Sequence, residues 1–439
     1  MNSLNIFIFE ITHFKRNKFK VIATVLFVLA SIYALQNGLN LYQKNIDEIE
    51  KITINKDKSN SKVLDWFDKG KKGPEDRNWV DISTPFWAVY YASTNAIKKP
   101  LPIMPFSIGQ AEQFGYYKQV TTWSTVYDAD LSEEIANPER LTIGTLDFGF
   151  VFLCLFPLLL IILVFNIGGI ERDLSFIKLL ELQTITIKKW LFVRFSFYFV
   201  FSILLLFAII FPYSLYTKAP FSLAFNYFLV CVLYTFLWFI VFYCIALFGK
   251  SSADQALKMI GVWLLFCVLI PGTIHQVTNL KYSADFMTDY LDASRKETYA
   301  LYDLKPDTIK KIVVNQYPEL KNTAFGRDTI MNTNIINNTS AAVVNVLMKN
   351  AALKLSKKNE KRNDFIKSTY AINPFGFFQN KLNAICGTDY YAFQKYRSEI
   401  QLMIDKKIKT MLLSDWNQEV ITKEKYQNYI KTFEDVNQK

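Results

Sequence analysis

Five uninterrupted apolar runs, each long enough to cross a bilayer as a helix, govern what this chain can fold into. A hydrocarbon core of about 30 Å needs roughly 20 apolar residues of helix. Such runs extend from Val21 to about Leu41, Leu146 to Ile167, Leu191 to about Tyr213, Phe221 to Phe248 and Met259 to His275. Inside hydrocarbon a backbone amide finds no water, so a spanning segment must satisfy its own hydrogen bonds as a helix. The chain therefore reads as an all-α polytopic membrane protein with five transmembrane helices. Composition agrees, because 51% of its 439 residues are hydrophobic and 16% aromatic against 20% charged, and 38 Phe, 24 Tyr and 8 Trp exceed what one soluble core can bury.

Charge beside the runs sets their direction. Lys15, Arg16, Lys18 and Lys20 outweigh Glu10 ahead of the first run, which predicts a cytoplasmic N-terminus. No small-residue cleavage site follows that run, so it reads as an uncleaved anchor. Residues 1–20 are expected to form a cytoplasmic elbow helix at the membrane surface. Alternation then predicts spans at 21–41, 146–167, 191–213, 221–248 and 259–275, with 168–190 and 249–258 inside and 42–145, 214–220 and 276–439 outside. The inner loops carry Arg172, Lys178, Lys188, Lys189, Lys250 and Lys258, while 214–220 carries only Lys218. High Lys, Asn and Ile use is compatible with a low-GC bacterium, and the expected location is the bacterial cytoplasmic (inner) membrane.

The two long outer regions are expected to fold as two largely helical extracytoplasmic domains. The first, 42–145, holds 13 basic and 15 acidic residues, and the second, 276–439, holds 25 and 18, so neither is a one-sign tail. The first opens with the helical pattern LYQKNIDEIEKI and passes through a Lys/Gly/Pro loop. In the second, helices are predicted over about Ala284 to Tyr302, after Pro306, from about Arg327 to Tyr370, after Pro374 and from about Tyr390 to Leu413, with Asn373-Pro374 and Gly387-Thr388 as breaks.

Several chemistries are excluded. The net charge of +11 is scattered among acids or placed beside apolar runs, without the basic-aromatic pattern of a nucleic-acid binder. Cys154, Cys231, Cys244 and Cys267 lie in apolar runs and Cys386 in a polar region, with no spacing for a disulfide or a metal. His13 and His275 are far apart, so no metal or His-based catalytic centre is expected. Gly249-Lys250-Ser251 ends like a phosphate loop, but Cys244 stands where the first glycine belongs. No cofactor or bond chemistry is assigned to the chain, and any ATP must be hydrolysed by another subunit. The polar groups noticed in the spans, Asn166 and Asn226, are uncharged, which disfavours an ion-gradient transporter.

The loop 168–190 is the strongest functional candidate. Ile170, Leu174, Ile177, Leu179, Leu180 and Ile187 can share one face of a helix lying along the membrane, and Glu171, Arg172 and Asp173 open it, where their charges suit a soluble partner. A helix that merely connects two spans would carry the same pattern.

Around this loop the sequence resembles the permease subunits of type-2 ABC exporters, in particular those with long extracytoplasmic loops described as multicopper-enzyme-maturation permeases. The resemblance rests on Asn137-Pro138, Leu141, Gly144, Asp147 and Pro157-Leu158, on Glu171, Leu179-Leu180 and Gln183, and on Asn373-Pro374 and Gly387-Thr388-Asp389. It implies a homo- or heterodimer of permease subunits bound to two cytoplasmic ABC ATPase subunits, with 168–190 as the coupling helix. Carried over residue by residue, the ATPase-coupling positions are Glu171, Arg172, Asp173, Leu179 and Leu180. Two departures stand out. Arg172-Asp173-Leu174 replaces a charged residue, glycine and threonine, and the sixth span that the resemblance implies is not found in 276–439. Two other readings fit the layout: an ATPase-driven mechanotransmission subunit whose outer domains grip envelope partners, and a membrane-anchored assembly scaffold. Membrane lipid is a partner on every reading. No metal-ligand cluster in the outer regions supports a copper substrate.

Overall fold

The computed structural model describes residues 3–128, 130, 146–176, 186–282, 290–293, 295–296, 299, 301, 303–327 and 333–434. The protein is mostly helical, 79% helix and 2% strand, with five helices long and apolar enough to cross a membrane: Lys18–Asp68, Phe148–Asp173, Ile187–Tyr216, Phe221–Phe248 and Ser252–Lys281. Four of them contain a run read from the sequence, and Phe148–Asp173 contains the second run except Leu146 and Asp147.

Helix α1 (Ser3–Arg16) meets α2 (Lys18–Asp68) at Asn17, whose extended backbone breaks the helix and whose side chain accepts from the Lys20 amide. Asn suits that position because it satisfies an amide that the first turn orphans. α2 is one helix of 51 residues, about 76 Å at 1.5 Å per residue, so the first span and the outer stretch beyond it form a single rod. It ends at the Lys/Gly/Pro loop, where the Lys71 amide returns to Trp66 O at 2.9 Å and Gly70 takes a φ of +65°, a left-handed closure that costs glycine little.

The second span is interrupted by a π turn, Val151–Leu155, ahead of α4 (Phe156–Val164), and then by a turn at 165–168 ahead of α5 (Gly169–Asp173). A hairpin of α6 (Ile187–Tyr216) and α7 (Phe221–Phe248) follows. The fifth span comprises α8 (Ser252–Leu264), a π turn at Leu265–Leu269 and α9 (Ile270–Lys281). Both π turns end two residues before a proline, Pro157 or Pro271. Proline offers no amide and its ring crowds the carbonyl four residues back, so a wider turn relieves the clash. The freed carbonyls tie spans together: Tyr234 Oη donates to Leu153 O at 2.6 Å, and Trp263 Nε1 to Cys154 O at 2.9 Å.

The spans share one core rich in aromatic rings, including Phe152, Phe156, Tyr234, Trp238 and Phe242. Residues of the two regions that flank the spans, 42–145 and 276–439, share a second core. Val63 and Trp66 of α2, Ala88 and Val89 of α3 (Pro85–Tyr91), and Ala96 of β1 (Asn95–Ile97) pack with residues of α10 (Pro306–Gln316), α11 (Thr333–Ser368), α13 (Tyr390–Trp416) and α14 (Lys423–Glu434). Met403, Ile404, Ile408, Met411 and Leu412 form the buried stripe of α13. Antiparallel β1 and β2 (Tyr117–Gln119), paired from Asn95 with Gln119 to Ile97 with Tyr117, add a short ladder to a region expected to be largely helical.

Two pieces of the regions read as wholly outer are wedged into the span core. Phe106, fully buried, meets the rings of Phe148, Tyr213 and Tyr227. Helix α12 (Pro374–Cys386) buries Phe375, Phe378, Leu382 and Cys386 in the same core, and the Phe378 ring lies 4.9 Å from that of Tyr234, midway along α7. Cys386, read from the sequence as a residue of a polar region, is thus buried against the spans. At 13 residues, about 20 Å, α12 is too short to be a sixth span.

Candidate functional site

At the ends of the spans nearest α1, ionisable side chains from four elements converge on Arg194. Its Nη1 lies 2.6 Å from Glu171 Oε1 and its Nε donates to Glu10, while its guanidinium stacks 4.7 Å from the centre of the Trp190 ring. Glu10 is fully buried and Arg194 is only 4% exposed. A charge removed from water at this depth is tolerable only when paired and hydrogen-bonded, and the planar guanidinium serves two carboxylates at once. His13 Nδ1 sits 3.9 Å from Glu10. Burial, reinforced by the charge of Lys20, pushes the His13 imidazole below its ordinary value, so it is neutral near pH 7 and leaves the countercharge to Arg194. Beside them the buried Lys20 ammonium donates to Leu163 O at 2.5 Å and to Tyr198 Oη at 2.9 Å, joining α2 to the second and third spans.

The three charged residues that open the loop are also tied to the span ends. Glu171 pairs with α6 through Arg194. Arg172 Nη1 donates to Ala246 O at 2.9 Å and Nη2 to Leu247 O at 3.4 Å, binding the last carbonyls of α7, where a cation complements the helix dipole. Asp173 accepts from the Ser252 amide at 3.2 Å in the first turn of α8, where an acid does the same with opposite sign. Gln255, fully buried, faces the same junction; with its amide assigned to satisfy both ends, it donates to Phe165 O and accepts from Arg172 Nη1 at 2.6 Å. Close backbone approach requires glycine here: a Cβ on Gly169 would stand 2.7 Å from Ser252 Cα, and Gly168 has a φ of +77°.

The sequence pattern therefore located the junction but not its wiring. Glu171, Arg172 and Asp173 bond to this chain, although Asp173 is also exposed, and the apolar groups exposed beside them are Ile170, Leu174 and Phe176, at 38%, 57% and 51%. Leu179 and Leu180 lie outside the described residues, as do Gln183 and the 137–144 stretch. Glu10 and Arg194 were missed as site residues. Arg194 lies within the predicted third span, which corrects the reading of the spans as free of charge. The available signal was one charge in each of two apolar stretches, FIFEI and LFVRF, which periodicity treats as noise.

No family model, no curated protein and no solved structure matches this chain.

Proposed function

We propose that the protein is the membrane-embedded permease subunit of an ABC-type exporter, coupling ATP hydrolysis by a separate cytoplasmic ATPase subunit to movement of its spans and outer core. One observation carries this reading: the base of the 168–176 loop is bonded at once to α6 by Glu171, to α7 by Arg172 and to α8 by Asp173. A load applied to that loop reaches three spans through short polar contacts, and through Arg194 it reaches α1. Leu174 and Phe176 are the apolar groups on which an ATPase surface would bear. A second permease subunit completes the assembly. It lies in the bacterial cytoplasmic membrane with its N-terminus inside.

Mechanotransmission, in which the same ATPase drives outer work on envelope partners, is favoured as a second reading by α2. That unbroken rod runs from Lys20 beside the charged cluster to Val63 and Trp66 in the outer core. A two-state element biased by nucleotide at one end can do work at the other only through such rigid continuity.

The test is to purify the tagged chain from its native membrane in mild detergent and identify its companions by mass spectrometry. A stoichiometric ATPase subunit, lost in the Leu174→Ala/Phe176→Ala variant, is expected. Recovery of envelope proteins alone, even after crosslinking at Leu174, overturns both readings and leaves a scaffold.

A further inference from the structure

On the face of α12 turned away from the spans, a cavity of about 210 Å³ opens between the end of α11, α12 and the start of α13. Lys367 and Lys381 line it. Lys367 donates to Tyr391 Oη, which also accepts from Asn363 Nδ2 at 2.7 Å, and Lys381 lies over the Phe377 ring at 5.9 Å. Asp389, whose Oδ1 accepts from the Ala392 amide at 3.3 Å, also lines it. The position of this cavity decides what it can hold. Phe378 touches Tyr234 midway along the fourth span and α12 packs on the π turn of the fifth, so on the span placement proposed above the start of α12 lies well within the outer leaflet. Gln379 and Lys381 are nonetheless exposed. Polar groups at that depth need water or a polar partner, because hydrocarbon cannot satisfy them. Along the same fifth span Leu264, Leu265, Val268 and Leu269 are exposed, and a Cβ at Gly261 or Gly272 would meet open space.

We propose that the cavity binds the phosphate headgroup of a phospholipid-like amphiphile, held by Lys367, Lys381 and the Tyr391 hydroxyl. The other carboxylate oxygen of Asp389 offers a counterion to an ammonium, so phosphatidylethanolamine fits best. The proposal rests on the reading above in two respects: it takes the placement of the spans from it, and it makes such an amphiphile the substrate class.

The full chain in detergent is titrated calorimetrically with short-chain phosphatidylethanolamine, with diacylglycerol of the same chain length, and with inorganic phosphate. Phosphatidylethanolamine is expected to bind at least tenfold more tightly than diacylglycerol, and inorganic phosphate is expected not to displace it at equal concentration. Lys367→Ala/Lys381→Ala is expected to weaken binding at least tenfold, and Lys367→Arg/Lys381→Arg to stay within threefold of the wild type. Unchanged binding by the alanine variant, equal loss in the arginine variant, or displacement by inorganic phosphate overturns the site. Binding is read on the chain alone, so an absent ATPase removes the exporter reading and leaves the site standing. With the ATPase present, the lipid is expected to raise ATP hydrolysis at least twofold in the wild type and not in the alanine variant. Binding without that response overturns the substrate assignment.

Discussion

Arg194 is the residue on which the end of the bundle nearest α1 depends, since it faces Glu10 on α1 and Glu171 on the loop. Truncating it as Arg194→Ala leaves Glu10 buried without its countercharge. Loss of one partner from a buried pair costs about 3–5 kcal/mol, and thermal unfolding of the purified chain is expected to show a loss of that size. Arg194→Lys keeps the charge but loses the two-carboxylate fork and the stacking on Trp190, so it is expected to recover only part. In the outer core Lys407 plays a different part. Its buried ammonium donates to Ala92 O at 2.7 Å and Val120 O at 2.8 Å, and burial pulls its pKa from 10.5 down to about 7. Between those values the unfolded chain binds the extra proton, so this group adds stability as pH rises from about 7 and loses it as pH falls back. Comparing wild type with Lys407→Met from pH 7 to 9 is expected to reveal that slope in the wild type and a flatter profile in the variant. Asp415, pushed up to about 6 by burial, works in the opposite sense: its contribution is full below its ordinary value and fades as pH rises through 6.

At the scale of elements, α2 and the two π turns carry the predictions. Glu50 is exposed on α2 between the two cores, so Glu50→Pro removes little but backbone order. It is expected to kink the rod and cost about 3 kcal/mol while leaving both cores intact. Spin-label distances across the outer core, which should respond to ATP in the wild-type assembly, are expected to stop responding in this variant; an unchanged response removes α2 as the transmitting element. On α7, Tyr234→Phe removes the shorter of two donors to Leu153 O of the second span, leaving Cys267 Sγ at 3.7 Å, at nearly constant volume, and a loss of about 1 kcal/mol is expected in detergent unfolding. Much at this scale was legible. Periodicity and length placed the spans, and Pro306, Pro374, Gly387 and Asn373 placed helix boundaries, because each acts on its own few residues. The continuity of α2 was harder to read, since its polar outer half shares no pattern with its apolar inner half. The embedding of α12 was not legible either, because a 13-residue apolar face has the same pattern whether it covers a soluble core or a bundle of spans.

For the whole molecule, the decisive feature is that residues far apart in the chain share the outer core. Tyr426 Oη donates to Tyr91 O at 3.1 Å, Tyr396 Oη to Ala96 O at 3.2 Å and Lys407 Nζ to Ala92 O at 2.7 Å, so residues of 42–145 and of 276–439 close on each other through buried polar contacts as well as apolar ones. They are expected to unfold together: amides around Val63 and around Met411 should exchange hydrogen with the same free energy, and two well-separated protection levels would mean two domains after all.

The sequence by itself determined that five segments are helices of bilayer length and which direction their flanking charges favour. These are local properties, set by solvation of the backbone and by charge within a few turns. Tertiary structure alone decided that Glu171 answers to Arg194 and Glu10, that two outer regions make one core, and that Phe106 and α12 are wedged among the spans. Those outcomes depend on which apolar faces find each other across tens to hundreds of residues, and an apolar face carries no record of its partner.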